Sequence, residues 1–248
     1  MIEIKNVSKM YFGSVVALAD VSLTIGSGEI IGLFGENGAG KTTLMKSILG
    51  IQSFQGQILL DGEPITRKNI ARLSFGTCEH SFFPNLTAAE NAQFYKEHFP
   101  KYNEKRFNGL MEFFGLPAYR RVRGLSTGQQ NQLEVILALS QGADYIFLDE
   151  PFAGNDIFNR EDFYKVLLGI MNPNETIVLS THLIEEVAGF IDRAVLIRRG
   201  HLVGDAQVAD LEQQGLSLTD YVKQQYGYQS DRVSKALDSI IGGEEENA

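Results

Sequence analysis

The chain has 248 residues, with 22 Lys and Arg against 31 Asp and Glu, a formal charge of −9 at pH 7, and 44% apolar and 21% charged residues. This is the profile of a soluble globular chain of one large or two small domains, long enough to bury a sizeable core without a covalent staple. A single cysteine, Cys78, excludes an internal disulfide framework or multi-cysteine metal site, and the longest apolar runs, 30–35 and 166–171, are far below the ~20 residues that span a bilayer.

Along the chain, short apolar stretches bounded by Gly and Asp predict strands at 2–7, 21–25, 29–34 and 57–60, with turns at 26–28 and 61–62. From Gly40 the spacing becomes helical, with Leu44, Ile48 and Leu49 on one face and Gly50 as the stop. The middle is helical: Thr87-Ala88-Ala89-Glu90 reads as a capping box, an amphipathic stretch follows at 104–114, and Ser126-Thr127-Gly128-Gln129 reads as a second capping box. A strongly apolar strand at 145–148 precedes a helix at 159–171, a strand at 176–179 and a short helix at 184–190. Strands 194–197 and 201–203 then meet at a turn. The order predicts an α/β protein with a largely parallel core and a helical insert between about 78 and 141. The Gly- and Glu-rich tail predicts disorder over 226–248. The start, Met1-Ile2-Glu3-Ile4-Lys5, has neither the basic region nor the apolar core of a secretory signal, which gives an expectation of cytosolic residence. The negative balance counts against nonspecific nucleic-acid binding, which needs a surplus of cations.

The first chemical motif is Gly35-Glu36-Asn37-Gly38-Ala39-Gly40-Lys41-Thr42, followed by Thr43, between a predicted strand and a predicted helix. Its glycines let backbone amides turn onto phosphate oxygens at a helix N-terminus, Lys41 reaches the terminal phosphates, and Thr42 offers its hydroxyl to Mg2+. The second is Ile146-Phe147-Leu148-Asp149-Glu150, an apolar strand that ends in two carboxylates. Beside a phosphate loop, Asp149 suits the Mg2+ side of the site and Glu150 the polarisation of an attacking water.

The third motif is Leu125-Ser126-Thr127-Gly128-Gln129. Alone it is a good helix cap. Together with the other two it resembles the L-S-G-G-Q signature of ATP-binding cassette (ABC) proteins, specifically an ABC transporter ATP-binding subunit of the bacterial drug, antibiotic or lipid exporter branch. The resemblance spans roughly residues 1–225. It implies a P-loop NTPase (RecA-like) core over about 1–77 and 142–204, with an antiparallel β subdomain. It also implies a helical signature subdomain over about 78–141 and C-terminal helices over 205–225. The implied ligands are ATP and Mg2+. The implied partners are a second ATP-binding subunit, over whose ATP Ser126, Gly128 and Gln129 close, and a separate transmembrane permease. The implied place is the inner face of the cell membrane, with no nucleic acid bound.

The same resemblance puts Tyr11 on the adenine, Asp156 of Asn155-Asp156 at the subunit crossing, and His182 of Ser180-Thr181-His182 at the γ-phosphate. Three positions depart from the pattern. Glu79 is the best candidate where the family has a glutamine, a place where a carboxylate also suits Mg2+. Thr127 replaces the first signature glycine, and Gln130-Asn131-Gln132 lacks the usual basic residues. Phe82 and Phe83 have two readings, an exposed contact for the permease or a core for the helical insert. A soluble ABC ATPase acting on ribosomes or DNA is the alternative function. It would usually carry two cassettes, long coiled-coil insertions or basic extensions.

Overall fold

The computed structural model describes residues 1–77, 79–151 and 157–227, with side chains of the last segment from Asp162 onward. Strands β1 (Ile2–Tyr11) and β2 (Val15–Ile25) open the chain as an antiparallel pair. They are longer than the predicted strands because bulges carry the pairing past local breaks: Asn6 and Asp20 lie at positive φ, and the register shifts between Ile4 and Val7. Tyr11 is therefore the last residue of a strand. Next come β3 (Ile30–Phe34), helix α1 (Lys41–Ile48), β4 (Gln55–Leu60) and the two-residue β5 (Glu63–Pro64). These strands assort into two sheets, and the first, ordered β2-β1-β4-β5, is wholly antiparallel.

Strand β6 (Leu73–Thr77) leads into three helices, α2 (Ala88–His98), α3 (Glu104–Phe113) and α4 (Thr127–Ser140), before β7 (Tyr145–Asp149) returns to the sheet. Both predicted capping boxes form: Thr87 Oγ1 accepts from Glu90 N–H at 3.1 Å, and Ser126 Oγ accepts from Gln129 N–H at 3.3 Å, each reciprocated by the third-residue side chain. Helix α5 (Ile157–Ile170), β8 (Thr176–Thr181), the short α6 (Ile184–Val187), β9 (Arg193–Arg198), β10 (His201–Gln207), α7 (Val208–Gln213) and α8 (Leu218–Gln225) complete the order. The second sheet runs β10-β9-β3-β8-β7-β6, parallel except for β10.

Both faces of this second sheet are covered, which is why the middles of β3, β7, β8 and β9 are runs of apolar residues rather than an alternation with polar ones. Ile31, Leu33, Tyr145, Phe147, Val178, Val195 and Ile197 face one core, shared with the antiparallel sheet and with Leu44, Met45 and Ile48 of α1. Their alternating neighbours Ile30, Phe34, Ile146, Leu148, Ile177, Leu179 and Leu196 face the other, shared with α2 to α8. The period of two thus builds two cores on one sheet. All five parallel strands point the same way, so their C-terminal ends form one edge, the usual place for a ligand in such sheets. The two readings of Phe82 and Phe83 divide: Phe82 is 7% exposed in the helical core, whereas Phe83 is 45% exposed and meets Phe94 edge to face.

One buried ion pair joins the inserted helices to the sheet layer. Arg106 of α3 and Glu175, just before β8, make two parallel bonds of 3.0 Å, and the guanidinium also donates to the carbonyls of Leu139 and Ile170. Their side chains are 6% and 9% exposed. Asn172 supplies two further donors to Glu175. Removing one partner strands a buried charge, so Arg106→Ala is expected to cost about 3–5 kcal/mol in a denaturant titration, and Arg106→Met with Glu175→Leu to recover most of it. A single-variant loss below about 1 kcal/mol would place this pair in the class of exposed bridges.

Candidate functional site

The phosphate loop is residues 35–40, the turn from β3 into α1. Gly40 caps α1 at φ 114 without any side-chain hydrogen bond, and a Cβ there would lie 2.5 Å from the Ala17 carbonyl oxygen, so only glycine fits. No acidic residue occupies the first turn of α1, which leaves its amides and dipole directed at an anion. Lys41 is buried, and its Nζ donates to the Gly35 and Glu36 carbonyls at 2.7 and 3.3 Å. The ammonium also lies 3.7 Å from Glu150 Oε1.

Asp149 ends β7 beside this loop. Its Oδ2 accepts from Thr42 Oγ1 at 2.6 Å and its Oδ1 from Ser180 Oγ at 2.5 Å, so one carboxylate joins α1, β7 and β8. Glu150 follows at φ 47, in the left-handed region. That conformation costs roughly 1–2 kcal/mol for a residue with a Cβ. Here it is held by donation from Glu150 N–H to Ser180 Oγ at 2.9 Å and to the Ser180 carbonyl at 3.2 Å. His182 Nδ1 is 3.2 Å from Glu150 Oε2. The carboxylate of Glu150 is thereby set between the Lys41 ammonium and the His182 imidazole.

Tyr11 brings the antiparallel sheet to the same place. Its hydroxyl donates to Gln52 Oε1 at 2.7 Å, Gln52 Nε2 donates to the Thr43 carbonyl at 2.7 Å, and Lys9 Nζ lies 5.2 Å from the centre of the tyrosine ring. The resulting open cleft, ≈ 320 Å³, is lined by Tyr11, by residues 15–17 and 37–43, and by Glu150.

The structure thus gathers Tyr11, Gly35, Glu36, Asn37, Gly38, Ala39, Gly40, Lys41, Thr42, Thr43, Asp149, Glu150 and His182 around one cleft. Two groups of expected residues lie elsewhere. Ser126, Gly128 and Gln129 sit at the N-terminus of α4 and do not line it. Glu79 does not reach the Thr42–Asp149 pair. Its two carboxylate oxygens accept from Lys46 Nζ at 2.7 and 2.6 Å, because α1 presents Lys46 one turn beyond Thr42. The expected crossing residues Asn155 and Asp156, Cys78, and the tail from 228 onward lie outside the described residues.

Ser180 is the functional residue that sequence reading did not single out. It serves both acids, yet only the neighbouring of β7 and β8 in the sheet reveals it. Gln52, which fixes the Tyr11 hydroxyl, is likewise distant from any motif.

A parallel sheet with a glycine-rich loop at its C-terminal edge, a lysine and a threonine on the following helix, and an acidic pair on the neighbouring strand defines a P-loop NTPase. Residues 18–153 match the model of the ABC transporter family, more than half of the chain. Among curated relatives, the ABC transporter ATP-binding protein NatA of Bacillus subtilis is 34% identical over 76% of this chain and 81% of its own length. The lipopolysaccharide export system ATP-binding protein LptB of Haemophilus influenzae is 33% identical over 80% of this chain and 87% of its own. Among solved structures, the dimeric MJ0796, a bacterial ABC transporter cassette, superposes with a TM-score of 0.73 at 25% identity, over 84% of this chain and 99% of that one. The chain belongs to the ABC transporter family, and it is an ATP-binding, ATP-hydrolysing subunit of that family.

The phosphate loop yields a graded expectation. Gly38 lies at φ 79 with open space around its α-carbon, so Gly38→Ala weakens ATP binding about tenfold, the equivalent of about 1.4 kcal/mol of backbone strain. Gly40→Ala must in addition displace the Ala17 backbone and abolishes binding. Titration calorimetry with ATP separates the two variants, and equal effects would contradict the geometry.

Proposed function

We propose that two copies of this chain, or one copy and a close relative, close head to tail around two ATP molecules, and that hydrolysis drives a separate transmembrane permease. The observation that carries this reading is the position of the signature. Ser126 and Gln129 build a well-capped, exposed helix N-terminus, suited to an anion, outside the chain's own cleft. Its ligand is then the γ-phosphate held by another copy, with Gly128 giving close backbone approach. The dimeric arrangement of MJ0796 supports the same reading.

Within the cleft, Gly35 to Thr43 cradle the phosphates and Tyr11 stacks on the adenine. A Thr42 hydroxyl 2.6 Å from an Asp149 carboxylate is a pair of hard oxygen donors that fits Mg2+. Thr42 and Asp149 would hold Mg2+ there by these two oxygens, a small protein share that suits an ion which usually keeps several waters. An Mg2+ ion held by Thr42 and Asp149 would supply charge neutralisation to the phosphates. Glu150, aimed by His182 and by its own strained backbone, accepts a proton from the water that attacks the γ-phosphorus, and ADP leaves. Loss of the γ-phosphate removes the contact shared by the two copies and lets them part, so a ligand biases a two-state assembly.

No helix among the described residues is long and apolar enough to cross a membrane. A permease partner, and a place for this chain on the cytoplasmic face, are supported by its likeness to ATP-binding subunits such as LptB of the lipopolysaccharide export system. The exposed ring of Phe83 suits a contact with that partner. Export is the direction supported by LptB, which belongs to a lipopolysaccharide export system. The charge of −9 supports a role without nucleic acid.

Glu150→Gln keeps the nucleotide site but lacks the base. With ATP it is expected to elute as a stable dimer and to hydrolyse on the order of 10²–10⁴ times more slowly. An unaltered hydrolysis rate removes Glu150 from its role. Crosslinking in membranes is expected to recover an integral membrane protein with this chain, and recovery of ribosomes or DNA alone would favour a non-transport ATPase.

A further inference from the structure

The segment between β6 and α2 is fastened to three helices in succession. Glu79 accepts from Lys46 of α1 at 2.6 and 2.7 Å. Ser81 donates its backbone N–H to Glu134 Oε2 of α4 at 3.0 Å, and its hydroxyl to the Oε1 of the same carboxylate. Phe83 exchanges backbone bonds with the side chain of Asn91 on α2, at 2.8 and 3.2 Å. Between the first two grips, His80 stands at φ 59, in the left-handed region, with its ring stacked on Phe82.

Glu134 is out of character for its helix. It is 2% exposed between Leu133 and Val135, and a buried carboxylate costs desolvation that only its hydrogen bonds offset. Burial pushes its carboxyl up to about 6, against the opposing pull of hydrogen bonds from Ser81 and from the Thr77 backbone. Thr77 ends β6 and is paired in register with Asp149. One carboxylate therefore holds both the segment and the strand end beside the acidic pair. The grips differ in stiffness. The Glu79 side chain is 68% exposed, so its ion pair is weak and screened by salt, whereas the bonds to Glu134 are buried and charge-assisted.

We propose that Lys46 and Glu134 are positioning residues for ATP hydrolysis: through Glu79 and Ser81 they make residues 79–81 a strap between the phosphate-loop helix and the signature helix. The strap rests on the head-to-tail reading above, because the signature helix serves ATP only in that assembly. Neither Lys46 nor Glu134 lines the nucleotide cleft, so both act through their partners rather than on ATP.

The test is steady-state hydrolysis by the full chain. Lys46→Glu, which sets a second carboxylate against exposed Glu79 from a half-buried position, is expected to lower kcat about three- to fivefold with KM for ATP unchanged, and added Glu79→Lys to restore it. Ser81→Ala and Glu134→Gln are each expected to lower kcat, and their combination to lower it no further than the larger single loss. The strap is overturned if Lys46→Glu changes only the melting temperature, if the charge exchange restores nothing, or if the Ser81 and Glu134 losses multiply. The Glu150→Gln chain separates the two readings. If ATP leaves it monomeric, the head-to-tail reading falls and the strap with it. If it dimerises while kcat ignores Lys46→Glu, the strap falls alone.

Discussion

The carboxylate of Asp149 sets the relation between the phosphate loop and the sheet. Its two oxygens are taken by hydroxyls from different elements, Thr42 at the start of α1 and Ser180 near the end of β8. These contacts require β7 and β8 to be adjacent and parallel, and they require α1 to start at the same sheet edge as β7 ends. The doubly covered sheet delivers this, since apolar residues on both faces of its inner strands β3, β7, β8 and β9 leave mainly the strand ends for polar chemistry. The strained conformation of Glu150 depends on the same Ser180, which takes its N–H. A single serine on the neighbouring strand thus positions both acids of the pair.

Against this rigid edge the signature lies at a remove. It caps α4, whose body is buried among apolar residues while its first turn is in reach of solvent. The physical consequence is a half-site: backbone amides and a dipole able to hold an anion, with no anion supplied by the same cleft. The buried Arg106–Glu175 pair and the strap at 79–81 are among the polar ties by which the inserted helices hold their setting on the sheet layer. Apolar packing alone is non-directional, so such ties are what convert a shift of one layer into a defined shift of the other.

Much of the site was legible because its chemistry is local in sequence. The loop from Gly35 to Thr42, the apolar strand ending in Asp149 and Glu150, and both capping boxes each need their residues within a few positions, and spacing alone betrays them. What sequence did not yield depends on neighbours distant in the chain. Ser180 and Gln52 acquire their roles from strand order and from the bulged course of β1 to Tyr11. Glu79 was an apt ligand by charge, but the helical pitch brings Lys46 to it and keeps it from Thr42. Phe82 and Phe83 are chemically equivalent in sequence, and only the packing of α2 decides which is covered.

In the proposed assembly the nucleotide site is completed by the signature of a second copy. The most direct measurement mixes two disabled chains, one with Lys41→Ala and an intact signature, the other with Ser126→Arg and an intact phosphate loop. Each alone is expected to hydrolyse no ATP, and the mixture to regain hydrolysis, because the heterodimer contains one whole site. A mixture as inactive as its components, or a Ser126→Arg chain that hydrolyses ATP unaided, would contradict the account.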